Sequence, residues 1–423
     1  MNINSYISDL EKLIKIPSLK ASATDGAPFG TAVRSALDCF LDIAKNLGFQ
    51  TKNYQGYMGE VTFGDGEEIG IIGHVDVVPA GPDWSYDPFS LTLKDGILYG
   101  RGVSDDKGPL LISLYALKGL KDSGIKVNKK FRLLVGCDEE SGWKDIEYFN
   151  KHYTMPEYGF SPDGNFPLSY AEKGMTELTF HLKPLKNFVS LKGGTVVNAV
   201  CAHATATCTG KLDKNLIEKY NLIESKPNVI ESHGKSAHGS QPQLGINALD
   251  KFFRFFYESG EDVKSVIDCL FDDVFEIKKM QNEQGYVTFS PDLLASDENG
   301  VHITCDLRIP APYTLQDVLK KVDEFGINYS YKVRHDPVVV NKNGWFVNAL
   351  STAYSSVSGL DGTPVSMGGS TFARAFNKGC AFGTEFPGFS NNIHEPNERL
   401  SVEHAKLIYE IYLQAYKNLC EKI

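Results

Sequence analysis

The stretch Ile69-Gly-Ile-Ile-Gly-His74-Val-Asp76-Val-Val-Pro79 constrains this chain more than any other. An apolar run carrying Gly70 and Gly73 predicts a buried strand that ends at His74, so the imidazole and the Asp76 carboxylate emerge together from a sheet edge. In α/β proteins that edge is where chemistry sits. A neutral imidazole is a common ligand for zinc-like ions, and a carboxylate beside it accepts its other N–H, fixing the tautomer and raising its basicity. His74 is therefore read as a metal ligand and Asp76 as the group that orients it. A His-x-Asp pair at a strand end is also an ordinary surface pair, so the weight falls on what accompanies it.

Length and composition leave room for that chemistry and close off other classes. A chain of 423 residues, 42% hydrophobic and 23% charged, is ordinary globular material, long enough for two domains. A net charge of −10 argues against nucleic acid or an anionic membrane as the main partner and leaves small substrates open. The amino terminus lacks a cationic patch followed by an apolar run, and no window approaches the roughly 20 apolar residues of a spanning helix. A cytoplasmic protein is the expectation. Eight cysteines without a C-x-x-C pair read as reduced, buried small hydrophobes rather than a disulfide frame.

Along the chain, apolar spacing predicts helices from Ile3 to Ile14, from Val33 to Leu47 with Gly48 ending it, and from Leu110 to Leu120 with Pro109 in the first turn. Glu60–Phe63 and the Ile69 run, joined by Gly64-Asp-Gly66, are expected to form a hairpin-like pair, and Leu91–Leu93 with Ile97–Tyr99 another. Phe131–Cys137 reads as a buried strand running into Asp138-Glu139-Glu140. After Pro167 the pattern turns to antiparallel strands with helices between them: strands at Met175–Leu182, Thr195–Cys201, Asn228–His233 and Val301–Ile309, helices at Gly245–Tyr257 and Leu315–Phe325, the last capped by Thr314. In the Val301 strand His302, Thr304, Asp306 and Arg308 share one face, so Arg308 can point into a cleft. Core-helix spacing returns at Phe346–Val357 and Val402–Leu419.

Possible oxygen and nitrogen ligands then recur at strand ends and loops: His74, Asp105, Glu139-Glu140, Asp163 and His394. Two ions about 3.5–4 Å apart need a bridging carboxylate and further His or carboxylate ligands on each, with room for a shared water. Asp105, beside a glycine-flanked turn, suits the bridge. Of two adjacent glutamates one can ligate while the other takes a proton from the water, the work of a general base. Singly, each acid reads as a cap or a solvated loop; together they are hard to read that way.

The order of motifs, His74-x-Asp76, Gly100-Arg-Gly-x-x-Asp105-Asp106-Lys-Gly108, Glu139-Glu140-x-Gly142, Asp163-Gly, Gly234-Lys-Ser-Ala-His238-Gly-Ser-x-Pro242, Gly368-Gly-Ser-Thr-Phe-Ala-Arg374 and His394, resembles the M20 family of dinuclear zinc peptidases, and within it the PepV-type dipeptidases. The resemblance covers nearly the whole chain. It implies an α/β fold of two domains: a catalytic domain with a central mixed sheet flanked by helices, from residues 1–167 and 341–423, and an inserted α+β lid domain at 168–340. It implies that His74 and Asp163 hold one metal, Glu140 and His394 the other, that Asp105 bridges, and that Glu139 is the base with Asp76 behind His74. A cis peptide at Asp105–Asp106 belongs to the same pattern. In the lid it implies that His238 polarises the scissile carbonyl, that Asn198 contacts the substrate amide, and that Arg308, helped by the backbone at Gly369, grips the terminal carboxylate, where the guanidinium fork offers a bidentate pair.

The activity so implied is metal-dependent hydrolysis of dipeptides with a free amino end, through a water activated by Glu139, in a site completed when the lid closes over substrate. An N-acyl-amino-acid deacylase or desuccinylase of the same family is the alternative enzyme, and a metal-binding protein without turnover is a third reading that an intact Glu139 disfavours. Zinc is the expected ion, with manganese and cobalt as alternatives. The inserted region is compact for a PepV-type lid. A monomer is expected, and a homodimer is the alternative if a partner must supply what a smaller lid lacks.

Overall fold

The computed structural model describes residues 1–210 and 212–421. The chain divides into two compact units, one built from Met1–Tyr170, Val340–Val365 and the chain from Thr371 on, the other from Ala171–Val339 with Ser366–Ser370.

The first unit is organised on a mixed sheet in the order Gln50–Tyr54, Met58–Phe63, Lys129–Gly136, Glu67–His74, Tyr158–Ser161, Lys378–Ala381. The first two steps are antiparallel and the next three parallel. Both faces are covered, which explains the continuous apolar runs of the inner strands. On one face Ile72 and Leu134 join Phe149, Phe372 and Phe376 in one cluster; on the other, the ring of Phe131 lies 5.1 Å from that of Tyr416 in the helix Val402–Cys420. Gly70 and Gly159 are glycine because the Phe376 ring lies against both, where any Cβ would collide with it. The helix Lys107–Asp122 is buried continuously from Lys107 to Leu117 and carries Pro109 in its first turn.

One expectation is corrected here. Met58–Phe63 and Glu67–His74 are not a hairpin: Lys129–Gly136 lies between them, antiparallel to the first and parallel to the second. Gly64 and Gly66, both at positive φ, carry the chain across the end of that intervening strand, against the carbonyls of Lys129 and Asn128. The hairpin Thr92–Lys94 with Ile97–Tyr99 does form, turning on Asp95 and Gly96 at φ 51° and 76°.

The second unit is an eight-stranded antiparallel sheet, in the order Ile223–Lys226, Val229–His233, His203–Cys208, Phe188–Gly193, Thr288–Asp297, Gly300–Ile309, Gly174–Leu182, Asn328–His335. Helices cover one face only. Leu178, Phe180, Ile303 and Cys305 pack there with Phe252 and Phe256 of the helix Ala248–Glu258 and with Val318 and Val322 of the helix Leu315–Asp323. The opposite face is polar, with Thr179 and Thr304 hydroxyls 3.0 Å apart across the strands. That one-sided burial is why these strands alternate where those of the first unit do not. Thr314 closes the expected cap in full, as a capping box with Asp317.

A second correction falls in this unit. Thr195–Cys201 is not a strand; the strands are Phe188–Gly193 and His203–Cys208, joined by a loop that begins at Gly194 with φ 71° and leaves Val196 half-exposed. Among the described residues no helix is long and apolar enough to cross a membrane. None of the eight cysteines lies in a disulfide among the described residues, and all but Cys39 are buried.

Candidate metal centre

Three parallel strands of the first unit end side by side, with His74 opposite Gly136 and Ile71 opposite Phe160. Their carboxyl ends deliver His74, the segment Asp138-Glu139-Glu140, and Asp163 to one sheet edge. The loop before the helix Lys107–Asp122 brings Asp105, and the loop before Val402–Cys420 brings His394. Residues spread over 320 positions thus meet for a local reason at each: an apolar strand that ends, or a turn that precedes a buried helix.

Asp105 stands between the two imidazoles. Its Oδ1 lies 3.0 Å from His74 Nε2 and its Oδ2 lies 2.8 Å from His394 Nε2. Asp163 Oδ2 is 3.8 Å from His74 Nε2, and Glu140 Oε2 is 3.2 Å from His394 Nε2. His74 is fully buried, whereas the His394 side chain is 54% exposed and sits at the rim. The peptide between Asp105 and Asp106 is cis.

The Asp76 carboxylate is 3.5 Å from His74 Nδ1, but the nearer partner is the Asp76 main-chain carbonyl at 3.0 Å. A carbonyl only accepts, so Nδ1 carries a hydrogen, and Nε2 is the nitrogen that faces Asp105 and Asp163. The Asp76 carboxylate meanwhile accepts the backbone N–H groups of Glu139 at 3.3 Å and Glu140 at 3.1 Å. It positions the two-glutamate segment as much as it does the imidazole. Asp106 fills the space over Gly73, where a side chain would clash, and accepts the N–H of His74 at 3.1 Å.

Glu398 is the residue sequence reading missed. Fully buried, its carboxylate accepts from the backbone N–H groups of Gly102, Ser104 and Asp105 at 3.1, 2.8 and 3.1 Å, and from Arg101 Nη1 at 2.8 Å. It ties the Asp105 turn to the His394 loop. The only trace of it in the sequence is its place four residues after His394.

The electrostatics follow from crowding acids in a low-dielectric pocket. Burial pushes the Asp163 carboxyl up to about 7, with the Asp105 charge adding to it and His74 opposing. Burial also raises Glu139, against His74 and with Asp163, Glu140 and Asp105, and it raises Glu140 together with the Asp105 charge. For Asp105 the hydrogen bonds with His394 and His74 outweigh burial and hold its carboxyl below the usual range. For His394 burial is outweighed by hydrogen bonds to Asp105 and Glu140, which lift it to about 11. Imidazole nitrogens this close to carboxylate oxygens need a positive charge between them, a proton or a metal cation. The donor set fits divalent cations: His74, Asp105 and Glu140 each offer a ligand atom within 4.8 Å of the others, in the mixed nitrogen and oxygen composition that such ions accept.

The second unit gathers the remaining candidates. Asn198 accepts from Gly239 N at 2.7 Å, and Ala199 bridges His238. His238 Nδ1 accepts the N–H of Ser240 at 3.2 Å and meets its hydroxyl at 2.7 Å, so the ring carries its hydrogen on Nε2. Gly239 has no room for a side chain because Asp306 and Asn198 close on it. Arg308, 2% exposed, pairs through Nε with both oxygens of Asp306 at 2.8 and 2.9 Å and through Nη1 with the carbonyl of Gly368 at 3.1 Å, next to Gly369. Asn198, His238, Arg308 and the Gly368-Gly369 turn thus form one cluster within this unit.

The sequence matches Peptidase family M20/M25/M40 over residues 70–418. A relative named "Putative dipeptidase YtjP", from Bacillus subtilis strain 168, is 30% identical over 98% of this chain and 97% of its own. Among solved structures the fold is shared with human carnosine dipeptidase 1 (TM-score 0.60, 15% identity, 98% of this chain and 96% of that one). It is shared also with the Bacillus subtilis YXEP protein, described as a dinuclear metal-binding peptidase (TM-score 0.56, 10% identity, 100% and 99%). With the matched region spanning residues 70–418, most of its length, the chain belongs to peptidase family M20/M25/M40.

Proposed function

We propose that the protein hydrolyses the peptide bond of dipeptides with a free amino end. The observation that carries this reading is the placement of Asp105 between His74 and His394, with Asp163 and Glu140 behind them and Glu139 beside them. His74 and Asp163 would hold one divalent ion, Glu140 and His394 the other, and Asp105 both. Ions bound there supply Lewis acidity, polarising a carbonyl and acidifying a water.

Glu139 takes the water's proton and returns it to the leaving amine. Burial raises the basicity of its carboxylate, which suits that exchange. The hold of Asp76 on the backbone of Glu139 and Glu140 keeps base and ligand in register. In the second unit the Nε2–H of His238 donates to the carbonyl oxygen as negative charge develops on it. Asn198 holds the substrate amide. The guanidinium of Arg308, its Nε committed to Asp306, offers its Nη groups to a terminal carboxylate, with the backbone at Gly369 beside it. Support for a dipeptide also comes from the named relative, 97% of whose length this chain spans.

Zinc is the ion we assign, since mixed imidazole and carboxylate donors suit it. A monomer is the acting species in this reading, and a homodimer is the alternative. Eight cysteines and no disulfide among the described residues support a reducing, cytoplasmic setting.

The test sets an unblocked dipeptide beside the N-acetyl form of a single amino acid, with zinc restored. Cleavage of the first is expected, and cleavage of the second alone would make the protein a deacylase. Glu139→Gln should keep metal and fold and lose roughly 10²–10⁴ in rate; unchanged turnover would remove Glu139 from its role. Sedimentation at assay concentration checks the monomer.

A further inference from the structure

We infer that the polar face of the second unit's sheet carries an additional divalent-cation site, formed by His203, Glu231 and His233. His203 and His233 stand directly opposite each other on neighbouring antiparallel strands, and Glu231 lies two residues before His233, on the same face. Both imidazoles aim Nε2 at one and the same atom, Glu231 Oε2, at 3.2 Å from His203 and 3.3 Å from His233. One ligand atom from each of the three residues falls within 4.8 Å of the other two.

These separations are long for a charge-assisted ion pair and suit a cation site. Charge-assisted hydrogen bonds close to about 2.7–2.9 Å. A tetrahedral centre with bonds of about 2.0–2.1 Å sets its ligand atoms about 3.3–3.4 Å apart, close to the 3.2 and 3.3 Å between Glu231 Oε2 and the two imidazole nitrogens. Electrostatics point the same way. The two rings are 4.7 Å apart between centroids, and like charges directly opposite on paired strands repel, so two imidazolium ions around one carboxylate are a poor solution. Two neutral imidazoles and one carboxylate around a divalent ion relieve that repulsion and leave one net positive charge. The hydroxyl of Ser225, on the strand next to Glu231, hydrogen-bonds the same carboxylate and steadies it.

The donor chemistry selects the ion. Two nitrogens and one oxygen suit a late first-row divalent metal such as zinc and disfavour calcium or magnesium, which demand oxygen ligands. Both histidines are half-exposed, so water completes the coordination. All three ligands ride on paired strands, which fixes their spacing better than a loop would. None of them belongs to the constellation assigned to hydrolysis, and the inference stands independently of that assignment.

The experiment counts zinc per chain by equilibrium dialysis and elemental analysis on stripped and reloaded full-length protein, for the wild type and for His203→Ala/His233→Ala. The variant should bind one equivalent fewer than the wild type, whatever the count in the other centre, and should hydrolyse substrate at the wild-type rate. Equal counts overturn the site. Should the double variant fold poorly, Glu231→Gln serves in its place with the same expected loss. Zinc should also shift the ring resonances of His203 and His233 in the unmodified chain at about one equivalent beyond those taken by the other centre, and unshifted rings at that loading overturn the proposal too.

Discussion

The carboxylate of Glu398 accepts the backbone N–H of Asp105 at 3.1 Å across 293 residues of sequence. With Gly102, Ser104 and Arg101 on the same two oxygens, this one side chain fixes the turn that presents Asp105 between the imidazoles. Glu398→Gln keeps the volume but turns an amide NH₂ toward groups that are all donors. Breaking such a buried pair costs about 3–5 kcal/mol. The expected result is a lower denaturation midpoint together with metal content below two ions per chain, measured by elemental analysis. Retention of both ions would show that Asp105 is held by other means.

Removing the metals tests the centre itself. His74, Asp105, Glu140, Asp163 and His394 place three carboxylates and two imidazoles within a few ångströms, and cations relieve that crowding. Whatever binds the native state alone stabilises it, by about 2.7 kcal/mol at a hundredfold excess over Kd. Chelation should abolish hydrolysis and lower the melting temperature, and zinc should restore both. Activity that survives complete removal would contradict the assignment of these residues.

Arg308→Lys separates charge from geometry. Lysine can still neutralise Asp306 but has no planar fork to offer a second carboxylate. KM for a dipeptide should rise about 10–100-fold, the equivalent of roughly 1.4–2.7 kcal/mol, with a smaller change in kcat. A dipeptide amide, lacking the carboxylate, should lose far less. Equal losses on both substrates would place the arginine in a structural role.

The clustering of these residues was legible in the sequence where polar side chains follow hydrophobic runs. His74 and Glu139-Glu140 each close an apolar strand, and one-sided and two-sided burial were visible as alternating and continuous patterns. Strand order was not legible: nothing local to Phe63 or Ile69 says that Lys129–Gly136 will lie between them, because that depends on the crossover through the helix Lys107–Asp122. Thr195–Cys201 misled because β-branched residues there favour a strand, while Gly194 turns the backbone out of the sheet. Glu398 stayed hidden because a glutamate in a polar loop reads as solvated, and only the folded chain shows the four donors around it.

Asp292 makes the second unit's stability depend on pH. It is fully buried in the strand Thr288–Asp297, beside a bulge, with Oδ1 accepting the Ser290 hydroxyl at 2.5 Å and Oδ2 without a hydrogen-bond partner. Burial lifts its carboxyl to about 7; the Ser290 bond opposes, the Asp306 charge adds and Arg308 opposes. Because the folded value lies above the unfolded one, near 3.9, the folded state binds the extra proton. The associated stability is complete below about pH 4 and is lost as pH rises through about 7. Asp292→Asn keeps the acceptor and removes the titration. It should therefore unfold at the same urea concentration as the wild type near pH 4 and at a higher one at pH 8, by an amount on the order of 2 kcal/mol. A wild-type profile that is flat over this range, with the variant no more stable at pH 8, would mean that the Asp292 carboxylate is ionised at little cost.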